Sequence, residues 1–190
     1  NQHKFSDYAD YLHENLPAQA ELDLQRKKPL NPAPLVSVAI ACSGASRAAV
    51  RSTLEALGKQ TYANFEVCVV SELAQAGLTD YEGIPKFRLV LFNGTAHEQL
   101  KAAEKMLNGA YFLQLLPGDL PAPDALHMLV LQTHANPEAE VVFADEDSVI
   151  DGIRQNPIFK PDYGRDTLRS FNSIGRPMLV SKRVHTAVGG

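Results

Sequence analysis

Only two cysteines, Cys42 and Cys68, occur in the 190 residues, and both fall inside apolar runs, "VSVAIAC" and "FEVCVV". That placement suits small buried thiols in a reducing, cytoplasmic compartment better than a disulfide framework, so no bridge is expected. No apolar run approaches the ~18 to 20 residues that cross a bilayer. The opening "NQHKFSDYAD" lacks a basic-then-apolar pattern, and membrane insertion is not expected. Positive charge is not in excess either. The net charge is -4 and the pI about 5.9, which argues against a surface built to neutralise nucleic-acid phosphates. The six histidines are scattered, and no Cys/His spacing resembles a zinc site. His127 and His134 share one face of a predicted helix and read as surface residues. "SGASRAA" lacks the glycine fingerprint of a dinucleotide-binding turn and the Lys-Ser/Thr ending of a phosphate loop.

What is present is an ordinary globular balance, 45% hydrophobic and 21% charged. The length allows one domain with a full core, or one domain and a short arm. Phe5, Tyr8, Leu12 and Leu16 recur at helical spacing before Pro17 and predict an amphipathic helix. "KKPLNPAPL" then resists both helix and central strand, and Arg26, Lys27 and Lys28 beside it read as solvated linker. Residues 1–33 are therefore expected to form an arm and linker, and 34–190 a single domain.

Within that domain strand and helix signals alternate. "LVSVAIAC", "FEVCVVS", "FRLVLFN", "AYFLQLL" and "VVFADEDS" read as strands. A helix is expected from Ser46, a plausible N-cap, with Val50, Leu54 and Leu57 on one face. Two more are expected, from Thr95 to Leu107 with Leu100, Ala103, Met106 and Leu107 inward, and from Pro123 to about Ala135. The tail after Phe159 reads as mostly loop. Such alternation implies an α/β sandwich around a largely parallel sheet, because parallel neighbours need crossover connections. Ligands bind such sheets beyond the carboxyl ends of the strands. Those ends here are "ACSGAS", "SELAQ", "PGD" and "ADEDS".

Taken in order, "PLVSVAIACSGASRAAVRSTLEALGKQTYANFEVCVV", "NGAYFLQLLPGDLPAPDAL", "VVFADEDSV" with "FKPDY", and "SKRVHTAVGG" resemble the family 2 glycosyltransferases of the GT-A fold, especially bacterial enzymes of surface polysaccharides. The resemblance covers about residues 34 to 190. It implies a Rossmann-like three-layer sandwich and a nucleotide-diphosphate sugar lying across the first strand ends. It also implies Mg²⁺ or Mn²⁺ on the diphosphate and a saccharide acceptor. A divalent cation held by carboxylates offsets the charge developing on the leaving nucleoside diphosphate. A further carboxylate deprotonates the acceptor hydroxyl.

Residue by residue, the resemblance assigns nucleotide-sugar contacts to Ser43, Glu72, Asp119, Asp145 and Asp147, with Asp119 the metal ligand. The chain departs from the family at Leu116, where an acid is usual, and at Ser71 and Glu72, where aspartates are usual. Arg176 reads either as a reach to a diphosphate or, as is expected, as the partner of a local carboxylate, and Arg154 or Lys160 as balancing the "ADEDS" acids. The segment carrying the family's catalytic base would follow Gly190, in the remaining part of a longer parent. A dimer through the arm, or a degenerate domain kept as a scaffold, are the alternatives.

Overall fold

A computed structural model describes residues 2–72 and 84–189, with side chains from Tyr8 onward. The expected packing of Phe5, most of "SELAQ" and Gly190 lie outside the described residues. The arm contains two helices, α1 (Gln2–Asn15) and α2 (Gln19–Lys27). The second replaces part of the expected linker. "QAELDLQRK" is built of good helix formers, and the prolines that resist helix begin only at Pro29. Leu22 of α2 is buried, the Thr61 hydroxyl donates to Gln25 at 2.7 Å, and Arg26 donates to the Lys59 carbonyl at 3.2 Å.

The domain follows as β1 (Val36–Ala41), α3 (Arg47–Leu57), β2 (Phe65–Ser71), β3 (Phe87–Leu91), α4 (Ala96–Glu104), β4 (Tyr111–Leu115), α5 (Ala125–Ala135), β5 (Val141–Phe143), β6 (Glu146–Ile150), β7 (Ile153–Ile158), α6 (Arg165–Ser170), β8 (Met178–Ser181) and α7 (Lys182–Ala187). Six strands form one sheet in the order β3-β2-β1-β4-β8-β5. The first four are mutually parallel, and β8 is antiparallel to both β4 and β5. Every residue of β1 and β2 is buried, and apart from Ser37 and Glu66 near their starts and Ser71 at the end of β2 they are apolar without alternation. Val50, Leu54 and Leu57 of α3 pack with β1 in the larger core. Ala103 and Leu107 cover Ala39, Cys68 and Val70 in a second, smaller one.

Ser46 caps α3 by accepting from the Ala49 amide at 3.2 Å, as its sequence position suggests. Thr95 and Glu98 form a reciprocal capping box on α4. That helix stops at Glu104, so Met106 leaves the helical phase and is 43% exposed, against the inward position expected. The α5 helix begins at Ala125, and His127 falls on its packed side with Leu126, Leu129, Val130 and Thr133, buried at 8% exposure, correcting its surface assignment. Burial lowers the His127 pKa, with Asp124 partly opposing. "VVFADEDS" is not one strand. It breaks after Phe143, and β6 turns through Asp151 and Gly152, at φ 52° and 77°, into β7 as a separate two-stranded sheet. Three consecutive acids cannot follow Val142 into a covered sheet without an unpaired buried charge. The tail is structured too, since β8 fills the gap between β4 and β5.

Cys42 and Cys68 are free and buried, and burial pushes both thiols up to about 11. Among the described residues no helix is long and apolar enough to cross a membrane.

At the amino ends of the central strands lies a buried carboxylate, Glu66, 1% exposed. It accepts from the Ser37 hydroxyl at 2.7 Å, the Asn108 amide at 2.6 Å and Arg88 at 2.8 Å. Ser37 in turn accepts from the Gly109 amide at 2.7 Å. A Cβ on Gly109 would lie 2.5 Å from the Ser37 oxygen and 2.7 Å from the Leu35 carbonyl, so only glycine fits this junction. Burial opposes ionisation of Glu66, but the Asn108, Ser37 and Arg88 donors together outweigh it and hold the pKa below the ordinary 4.5. Because the folded value is the lower one, this stabilisation is fully present above the unfolded value and is lost as pH falls through the folded value. Urea unfolding midpoints measured from pH 6 to pH 3 should therefore fall more steeply for the wild type than for Glu66→Gln; parallel slopes would contradict the assignment.

Candidate functional site

Because β8 runs antiparallel between β4 and β5, those two strands point the same way. The carboxyl ends of β1, β2, β4 and β5 therefore lie along one rim. Polar side chains gather there because the strand interiors are closed to them.

On the first part of the rim, Ser43 follows β1 and Glu72 follows β2. The Ser43 hydroxyl donates to a Glu72 carboxylate oxygen at 3.3 Å, and both side chains are exposed. The Cys42 amide still bonds the Val70 carbonyl at 2.9 Å, so the pair stands directly on the end of the parallel ladder. Gly44, at φ 68°, then turns the chain toward α3 in a left-handed conformation that favours glycine.

Asp119 closes the turn after β4. One carboxylate oxygen accepts from the Leu116 amide at 2.8 Å, and the Asp119 amide returns a bond to the Leu116 carbonyl at 3.0 Å. The Gly118 amide reaches the Ala49 carbonyl at 3.0 Å and the Thr53 hydroxyl at 2.9 Å, which pins this turn to α3. Arg176 supplies the partner for Asp119, with Nε 3.0 Å from one oxygen and an Nη 3.5 Å from the other. The ion pair expected for Arg176 is thus formed, and with Asp119 itself.

The three acids after β5 are all engaged. Asp145 accepts from the Lys160 amide at 2.8 Å, and Glu146 lies 3.4 Å from the Lys160 ammonium. Asp147 accepts from Arg154 at 2.6 Å and from the Tyr8 hydroxyl of α1 at 2.5 Å. The Lys160 side chain is only 2% exposed and also donates to the Arg176 carbonyl at 2.6 Å. A continuous polar belt therefore runs from Asp119 through Arg176 and Lys160 to Asp145 and Glu146. Asp119, Asp145, Asp147 and Arg176 line one cleft of about 1080 Å³, whose apolar wall includes Leu22 of α2 and Met128 of α5. Ser43 and Glu72 lie outside that lining. The assigned residues thus fall into two groups on one rim, a Ser43–Glu72 pair and a cleft belt.

In the sequence Tyr8 is only one member of an amphipathic stripe, and no site role is expected of it. A tyrosine in such a stripe carries a polar tip that needs a partner when buried, and that is the one signal pointing to its contact. Burial, followed by the bond to Asp147, pushes its hydroxyl up to about 12. Tyr11 adds an edge-on ring contact to Phe159, at a centroid distance of 5.3 Å.

No family model matches the chain. The uncharacterized protein y4gI of Sinorhizobium fredii is 33% identical over 150 residues, covering 74% of this chain and 16% of that protein. The O-antigen biosynthesis protein RfbC of Myxococcus xanthus is 25% identical over 194 residues, 97% of this chain and 15% of that protein. The chain thus spans about a sixth of the length of these curated relatives. Among solved structures, the mannosyltransferase PcManGT from Pyrobaculum calidifontis, in complex with GDP-Man and Mn²⁺, superposes with a TM-score of 0.54 at 20% identity, covering 89% of this chain and 52% of that one.

The docking of α1 through Asp147 carries a direct expectation. Tyr8→Phe should cost about 1 kcal/mol and raise the amide hydrogen-exchange rate of α1 selectively; unchanged protection would mean that this bond does not hold the arm. In architecture, this chain has the GT-A fold.

Proposed function

We propose that the chain is the nucleotide-sugar-binding domain of a family 2 glycosyltransferase, moving a sugar from a nucleotide-diphosphate donor to a saccharide acceptor in polysaccharide biosynthesis. The observation that carries this reading is the single rim on which the parallel strand ends deliver Ser43, Glu72, Asp119 and Asp145 beside a cleft of about 1080 Å³. A cleft of that size accommodates a sugar-sized ligand with room for an acceptor. The likeness to a mannosyltransferase fold and to an O-antigen biosynthesis protein supports the same class.

In this reading Glu72, oriented by the Ser43 hydroxyl, accepts hydrogen bonds from the donor's ribose or base. Asp145, held by the Lys160 amide, faces the sugar in the cleft. Residues 34–190 form the transferase unit, and the arm of residues 1–33 docks on it as part of a longer, cytoplasmic parent. Nucleic acid is not a partner in this reading.

A Mg²⁺ or Mn²⁺ ion at Asp119 fits these side chains poorly. At nucleotide sites such ions are held by one or two carboxylates together with the phosphates; Leu116 offers no second carboxylate beside Asp119, and both Asp119 oxygens already accept from Arg176, one of them also from the Leu116 amide. Among the described residues no group of three His, Cys, Asp or Glu could hold a metal. Donor binding in this reading therefore runs through the protein's own side chains.

Calorimetric titration with UDP, dTDP and GDP tests the assignment. One of them should bind, and Glu72→Ala should weaken it about tenfold, as expected for one lost charge-assisted bond. Absence of binding by all three would favour the scaffold reading instead.

A further inference from the structure

We propose that the donor's diphosphate is met at this rim by the guanidinium of Arg176 in place of a divalent cation, so that nucleotide binding does not depend on metal. The proposal rests on the nucleotide-binding reading above and specifies its chemistry.

Three observations point to Arg176. Its Nε and one Nη hold Asp119, while its other Nη makes no hydrogen bond among the described residues. The Arg176 side chain is 43% exposed and lines the cleft. A guanidinium carries five N–H donors in a fixed plane, so a carboxylate on one edge leaves the other edge oriented for a phosphate oxygen. Charge-assisted N–H···O bonds to phosphate are among the stronger contacts available to a side chain.

The backbone beneath Arg176 is built to hold it. The Lys160 ammonium bonds the Arg176 carbonyl and lies against Glu146. Gly175, at φ 55°, makes room for that pair, since a Cβ there would come within 2.7 Å of the Glu146 carboxylate and 3.6 Å of the Lys160 nitrogen. Arg176 is thus supported from below by a shielded cation and fixed in plane by Asp119. A metal at Asp119 would have to displace this guanidinium and would gain one carboxylate in return.

The two schemes differ at Asp119. As a metal ligand, it would be indispensable. As the neutralising partner of Arg176, its removal frees positive charge for the anion. UDP and GDP titrations in EDTA and in Mn²⁺, on the wild type, Arg176→Gln and Asp119→Asn, separate the cases. Metal-free binding should match that in Mn²⁺ within about twofold. Arg176→Gln should weaken it about tenfold or more, and Asp119→Asn, which removes the carboxylate charge but keeps an amide oxygen to accept from the Arg176 Nε, should bind as well in EDTA as in Mn²⁺. Binding that needs Mn²⁺ and disappears in Asp119→Asn would overturn the proposal while leaving nucleotide binding intact. Metal-free binding indifferent to Arg176→Gln would also overturn it. No binding by wild type in either condition would remove both the proposal and the reading beneath it. Asp119→Asn does not depend on the folding of the Arg176 variant, so its response to Mn²⁺ decides the matter independently.

Discussion

The central constraint is the parallel pairing of β1 with β2 on one side and β4 on the other. A strand hydrogen-bonded along both edges and covered on both faces has no place for a charged side chain. Polar chemistry is therefore confined to the two ends. At the amino end it becomes the Glu66 network, which joins the starts of three strands through Ser37 and the Asn108–Gly109 turn. At the carboxyl end it becomes the rim. The same exclusion that stabilises the sheet thus sorts the chain's polar residues into one structural junction and one surface open to ligands.

The rim is organised by cations as much as by acids. Asp119, Glu146 and Asp147 each lie against an arginine or lysine, and the buried Lys160 links the turn before β8 to the segment after β5. Exposed pairs of this kind contribute little stability singly. Their value lies in geometry. Each pair fixes one loop relative to another, and together they bind the ends of β4, β5 and β8 to the hairpin β6–β7. The arm joins the same arrangement through Tyr8, so α1 and the cleft share Asp147 as a common contact.

Much of this is legible in the sequence where a local rule matches the global fold. The apolar runs within Val36–Ala41 and Phe65–Ser71 are readable because burial on both faces removes alternation. Ser46 is readable because a cap is a local hydrogen bond. That Arg176 pairs with a carboxylate is readable in kind, whereas its partner, Asp119, 57 residues away in the chain, is not. What escapes depends on distant neighbours. His127 is buried because it falls on the packed side of α5 with Leu126, Leu129, Val130 and Thr133, which no spacing of two histidines reveals. The short run of β8 becomes a strand only because β4 and β5 flank it, and without them its four residues carry little periodic signal. The hairpin β6–β7 escapes because its acids follow an apolar strand without a conventional break.

The position of β8 has a further consequence for how the molecule forms. Among the described residues β5 has no sheet partner other than β8, which comes last of the strands. The parallel half, β3-β2-β1-β4, can assemble from residues that precede Leu116, whereas β5 must wait for the chain to reach Ser181. What delays β5 is the order of synthesis and not separation along the chain, since Val141 and Val180 are closer in sequence than Val36 and Tyr111, which pair β1 with β4. During synthesis the half bearing Ser43 and Glu72 can therefore be in place while the half that completes the cleft is still leaving the ribosome, and a truncation anywhere before Met178 would strand β5 as an unpaired edge.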